Sequence, residues 1–248
     1  MKIRQVLSLG IIALFIVLIK TSFADETLRP VKMACSPFSP FKIENSENGQ
    51  KGIDIEIMQE VFALSSRKIE YNYYPWKRAV KLVETGKADG LCGCSYHPDR
   101  ENNFIFSDIV GEHSQGVFLA DGVELNEFNS VKDLQGLSIA TVRGYSVQKE
   151  LKDHGINTYE ARDDDELLTI LQNGRVDAIY TYRDILLYAL SHSGKSGHVN
   201  YRELTRKPYY FCFSPTQSDI EDIVEEVNQG LRIIRYNGTY DKIWKSYQ

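Results

Sequence analysis

Leu82-Val83-Glu84-Thr85-Gly86-Lys87-Ala88-Asp89-Gly90-Leu91 reappears further along the chain as Ile170-Leu171-Gln172-Asn173-Gly174-Arg175-Val176-Asp177-Ala178-Ile179. Each copy reads as the end of an amphipathic helix, a glycine stop, a basic residue, then an apolar strand entered through Asp. Glycine just past the last helical turn takes the left-handed conformation that a side chain penalises, so Gly86 and Gly174 mark two helix ends. A strand-like run lies upstream of each copy, at Ile69–Tyr74 and Ile156–Ala161, followed by helical periodicity. The chain therefore carries the same strand–helix–strand piece twice. Two well-separated copies mean two similar α/β lobes, because a solenoid needs shorter and more numerous repeats. Two lobes imply a cleft, and clefts at domain junctions are where small ligands bind.

The first residues, Met1-Lys2-Ile3-Arg4, form a short basic start before an apolar run from Val6 to Ile19. Thr21-Ser22-Phe23-Ala24 then offers small residues for cleavage before Asp25. Residues 1–24 read as a secretory signal peptide, the run being too short for a comfortable membrane span. No Cys follows it, which argues against a lipid anchor. Removing Lys2, Arg4 and Lys20 with this segment moves the formal charge from −5 to −8. An acidic exported chain is a poor partner for nucleic acid, which calls for a basic stripe.

Four cysteines, Cys35, Cys92, Cys94 and Cys212, stand in an exported chain and admit a disulfide reading whose connectivity spacing cannot set. All four are expected in the first lobe, on strands that meet at the centre of its sheet. Side-by-side parallel strands orient side chains badly for a disulfide, so proximity is expected ahead of bonding. Cys92-Gly93-Cys94 with His97 has a faint metal-site look, but Cys92 falls in an apolar strand pattern, where Cys behaves as a small hydrophobe. No metal and no cofactor is expected. His97, His113, His154, His192 and His198 share no spacing and read as structural or exposed.

Along the chain, Pro30–Cys35 reads as a first strand and Gly52-Ile53-Asp54 opens a helix. Pro75 starts a helix carrying Trp76 through Val83, Ala88–Cys92 is a strand, and Ser95–Arg100 a loop. Leu137–Val142 opens the second lobe, Pro208–Ser214 is a returning strand, and Asp219–Arg235 a long amphipathic helix. Alternating strands and helices argue for parallel sheets covered on both faces, with ligands beyond the carboxyl ends of the strands. The turns after Cys35, Cys94 and Val142 lie at such ends. Phe38, Ser95, Arg100, Arg143, Gly144, Tyr145 and Ser146 are therefore pocket candidates.

The order of Pro40-Phe41, Gly52-Ile53-Asp54-Ile55-Glu56, Trp76, Gly86-Lys87-Ala88-Asp89, Pro98-Asp99-Arg100, Phe106-Ser107-Asp108, Val131-Lys132-Asp133-Leu134 with Gly136, Gly174-Arg175-Val176-Asp177 and Asn237-Gly238-Thr239-Tyr240 resembles the family 3 extracellular solute-binding proteins. These are the periplasmic receptors of polar amino-acid ABC transporters. The resemblance implies an α/β fold of two lobes, each a mostly parallel sheet flanked by helices, joined by a two-strand hinge. It implies a first lobe from residues 25–118 and 208–248 and a second from 119–207. It also implies a monomer in the periplasm that captures a small carboxylate-bearing solute, typically an amino acid, for an ABC permease in the inner membrane.

The same resemblance implies that Arg100 pairs with the ligand carboxylate, a role for which a planar fork suits better than Lys. Phe38 and Trp76 would pack on the ligand, and Gly93 and Ser95 would supply main-chain and hydroxyl contacts. Arg143, Tyr145 and Ser146 would lie over the carboxylate from the second lobe. One departure concerns the ammonium. Where relatives that bind α-amino acids place an Asp, this chain has Tyr182, with Asp184 two residues late. Either Asp184 reaches the site, or aromatic faces cage the ammonium, or the ligand has no α-amino group. Cys35 likewise stands where an acid is often found. Two other functions remain in view: a ligand-sensing partner of a membrane receptor, and a periplasmic prephenate or arogenate dehydratase. The enzyme would need a general acid, for which Glu112, His113 and Asp184 are the nearest candidates.

Overall fold

A computed structural model describes residues 28–46, 49–125, 127–192 and 200–247. Residues 1–24, expected from the sequence to be a signal peptide, and His198 lie outside the described residues. Among the described residues no helix is long and apolar enough to cross a membrane.

The first lobe opens with β1 (Val31–Cys35), α1 (Ile53–Ala63), β2 (Ile69–Tyr73), α2 (Trp76–Glu84), β3 (Gly90–Ser95) and the short α3 (Pro98–Glu101). A long strand, β4 (Ile105–Leu119), carries the chain into the second lobe. There β5 (Ile139–Val142), α4 (Ser146–Asp153), β6 (Thr158–Ala161), α5 (Asp164–Gln172), β7 (Ala178–Tyr182) and α6 (Arg183–His192) follow. A second long strand, β8 (Asn200–Phe213), returns to the first lobe, which α7 (Ile220–Tyr236) and α8 (Thr239–Lys245) complete.

The sheet order, β2-β1-β3-β8-β4-β7-β5-β6, places the two halves back to back. In one half β1 runs parallel to β2 and β3; in the other β5 runs parallel to β6 and β7. The sequence repeat is thus a structural repeat. Gly86 and Gly174 both have positive φ, 67° and 61°. Past each glycine the next amide reaches back to the helix, Lys87 N to Leu82 O at 2.8 Å and Arg175 N to Ile170 O at 3.2 Å. These bonds satisfy the carbonyls that a helix end leaves orphaned. The repeated aspartates do equivalent work. Asp89 accepts from Lys32 N at 2.7 Å and Asp177 from Ser138 N at 2.8 Å, tying the third strand of each lobe to its first.

Between the halves, β4 and β8 pair antiparallel along almost their whole length, with breaks in register near Ile109, Gly111 and Gln115. The sequence predicts only the second half of β8, from Pro208. Its first half, from Asn200 to Lys207, is polar and half-exposed, so it lacks the apolar signature of a core strand. The loop predicted over Ser95–Arg100 also holds the single turn α3.

The cysteines meet as expected, and both pairs are bonded: Cys35 to Cys92 and Cys94 to Cys212, with Cα separations of 4.9 and 6.1 Å. The preference for proximity over bonding is therefore corrected. A break in the β3–β8 register between Leu91 and Cys94 re-aims the side chains that regular strands would misdirect. Gly93 inside that break has φ 132°, a conformation closed to most other residues.

Candidate functional site

A cavity of about 70 Å³ lies between the lobes. Its first-lobe wall comes from the loop after β1 (Ser36, Pro37, Phe38 and Lys42), from Trp76, from the end of β3 (Gly93, Cys94 and Ser95), and from Arg100 and His113. Gly144, Tyr145 and Ser146 in the turn after β5, with Tyr182 at the end of β7, form the opposite wall. The walls are thus built largely at the carboxyl ends of parallel strands, where both sheets open towards each other.

Phe38 reaches across the cleft. Its ring centroid is 5.6 Å from that of Tyr145 and 5.4 Å from that of Tyr182, both edge-on. The two tyrosines are 5.5 Å apart, so the three rings form one T-shaped cluster. The Tyr182 hydroxyl meets Ser146 Oγ at 2.8 Å. Burial raises its pKa, so Tyr182 remains a neutral phenol.

Two cations face this space. Arg100 donates from Nη1 to Ser95 O at 2.8 Å and stacks on Trp76, its guanidinium carbon 5.3 Å from the ring centroid. Lys42 is held by a tight backbone exchange with Phe38, which sets its ammonium 4.7 Å from the Phe38 ring centroid. Behind it lies Asp54, fully buried, 3.1 Å from Lys42 Nζ and accepting from the Tyr209 hydroxyl at 2.6 Å. Burial pushes the Asp54 carboxyl upwards, and the Lys42 charge opposes that shift. His113 stacks face to face on Tyr209 at 4.0 Å. Burial, then the Lys42 charge, holds its imidazole well below its ordinary pKa, so the ring is neutral; its Nδ1 has no hydrogen-bond partner.

Phe38, Trp76, Gly93, Ser95, Arg100, Tyr145, Ser146 and Tyr182 all line the cavity. Arg143 does not. Its side chain turns outwards to Glu160, Nε 2.7 Å from the carboxylate, and borders the wider adjoining cleft. It directly follows Val142, whose side chain faces the core, and the alternation along a strand sends the next side chain the other way. Asp184 is also elsewhere. It pairs with Arg183 at 3.1 Å and, with Glu112, lines a separate cleft. The sequence reading misses Lys42 and His113 as lining residues. Lys42 carries no local motif, since its place depends on the hairpin back to Phe38. The signal for His113 is its position in the extended segment, not its spacing from other histidines.

Over residues 31–248 the sequence matches the bacterial extracellular solute-binding proteins, family 3. The L-cystine-binding protein TcyA of Bacillus subtilis (strain 168) is 23% identical over 212 residues, covering 85% of this chain and 77% of that protein. A solved histidine kinase sensor domain with similarity to periplasmic binding proteins aligns with a TM-score of 0.79 at 16% identity, covering 89% of this chain and 96% of that one. The structure of an ancestral arginine-binding protein bound to arginine aligns with a TM-score of 0.73 at 23% identity, covering 89% and 99%. The structural likenesses concern the fold: two lobes around a cleft.

Proposed function

The chain belongs to the bacterial extracellular solute-binding proteins, family 3, and from that membership we propose that it captures a small carboxylate-bearing solute between its lobes. The solute is an amino acid or a related carboxylate, and the chain delivers it as a periplasmic monomer, after cleavage of residues 1–24, to an ABC permease in the inner membrane. The lobes divide near residues 118 and 207. The observation that carries this reading is the cavity itself: lined from both lobes, with Arg100 in its wall and no Asp or Glu among its described lining residues. A guanidinium in a water-poor cleft matches a carboxylate bidentately, and the hydroxyls of Ser95 and Ser146 can complete the donors around it. Ligand capture, not turnover, is the function. Glu112 and Asp184 border a different cleft, and a neutral His113 is a poor proton donor. A thermal-shift screen of amino acids and small carboxylates on the purified chain tests the reading. A solute at about 100 times its dissociation constant adds about 2.7 kcal/mol of stability. No shift with any carboxylate would overturn it.

A further inference from the structure

We infer that the cavity is built for a small carboxylate that carries no ammonium group, an oxo-acid or hydroxy-acid anion in place of an amino acid. This narrows the carboxylate-capture reading above and rests on it.

The charges around the cavity come first. Lys42 and Arg100 both line it, and among the described lining residues there is no Asp or Glu. Four carboxylates near it are otherwise engaged; Glu150 accepts from the Tyr180 hydroxyl at 2.9 Å and pairs with Lys207 at 3.1 Å. Asp184 pairs with Arg183 at the separate cleft. Asp54 spends one oxygen on Tyr209 and the other on Lys42, and it is not a lining residue. Asp164 stands behind Tyr145, whose hydroxyl donates to it at 2.7 Å, and it borders the adjoining cleft. An ammonium in this cavity would meet Arg100 and the Lys42–Asp54 ion pair, with no carboxylate among the described lining residues to receive it.

Aromatic rings are the other way to hold an ammonium, through the negative faces of their π-systems. Here the protein's own cations take one face each of Phe38 and Trp76. Lys42 sits over Phe38 at 4.7 Å and Arg100 over Trp76 at 5.3 Å. Tyr145, Tyr182 and Phe38 meet one another edge to face, so these rings turn faces towards each other's edges. Of the three ways in which the chain could answer the missing Asp at Tyr182, the geometry leaves the ligand without an α-amino group.

The remaining polar groups suit an oxygen at that position. The hydroxyls of Ser95, Ser146 and Tyr182 can donate to a carbonyl or exchange bonds with a hydroxyl, and the Lys42 ammonium can donate to either.

Calorimetric titration of the purified chain with two matched pairs, pyruvate against L-alanine and glyoxylate against glycine, tests this directly. Within a pair only the group at the second carbon changes between oxygen and ammonium. The expected result is at least tenfold tighter binding of the oxo-acid in one pair or both. Equal or tighter binding of alanine or glycine would overturn the inference while leaving carboxylate capture intact. So would silence from all four probes together with a response to a larger amino acid. Silence from every carboxylate would overturn the underlying reading instead. Tyr182→Asp supplies the complementary measurement: restoring a carboxylate should move the preference at least tenfold towards alanine. An unchanged preference in a folded variant would show that the missing acid does not set the specificity.

Discussion

At the scale of single residues, Arg100 carries the greatest functional weight. If it holds a carboxylate in a water-poor cavity, Arg100→Ala should cost roughly 2–5 kcal/mol of binding, as removing one partner of a buried pair does. Arg100→Lys should recover only part of this, because the planar fork is lost. Calorimetry on both variants, with circular dichroism to verify folding, checks the expectation; full affinity in Arg100→Ala would remove its role. Asp164 offers a different test, through pH. Burial raises its carboxyl to about 7, and Oδ1 has no hydrogen-bond partner. A carboxyl whose folded-state pKa is raised favours the native state while protonated, fully so below its unfolded value of about 4. That advantage is lost as pH rises through about 7. Asp164→Asn keeps an acceptor for the Tyr145 hydroxyl and cannot ionise. Urea denaturation should find the variant close to its parent near about pH 4 and more stable by roughly 1–3 kcal/mol near about pH 8. A constant difference across that range would contradict it. Most of the cavity wall is legible in the sequence because its residues follow strand ends, as Ser95 and Tyr145 do. Lys42 is not, since only the folded hairpin brings its ammonium over Phe38. Arg143 misleads, since a turn residue can face either way and its outward partner, Glu160, lies on another strand.

At the scale of elements, the repeated helix–glycine–strand piece is the most legible feature, because local chemistry dictates it. The glycine, the basic residue and the aspartate each make equivalent bonds in both lobes. The first half of β8 is illegible for the opposite reason. It is a crossover strand whose stability comes from pairing with β4, not from burying a side-chain face. The disulfides belong here too. They join β1 to β3 and β3 to β8, bracketing Gly93 in the cavity wall, and span sequence separations of 57 and 118 residues. Loops of that length should make each bond worth roughly 2–5 kcal/mol. The paired substitutions Cys35→Ser with Cys92→Ser, and Cys94→Ser with Cys212→Ser, should each lower stability by that amount in urea titrations. The second pair should also weaken solute binding, because Cys94 lines the cavity. Unchanged stability and affinity would mean that the bonds play no part in holding the strands that form the wall.

At the scale of the whole molecule, the sheet order and the contacts across the cavity together point to motion. Phe38 lies against Tyr145 and Tyr182 across the cleft and residues of both lobes line the space, so parting the lobes would widen the way in for a solute. The two strands that connect them, β4 and β8, lose regular register near Gly111 and Gln115, the natural place for a hinge to flex. Lobe architecture was readable from the repeat, but the degree of closure was not, since it depends on aromatic contacts between residues far apart in sequence. Solution X-ray scattering of the chain, with and without a saturating concentration of the carboxylate giving the largest thermal shift, measures that motion. The free chain should show a larger radius of gyration than the loaded one, and the loaded profile should match the closed form described here. The same radius in both states would contradict a receptor that closes on its solute.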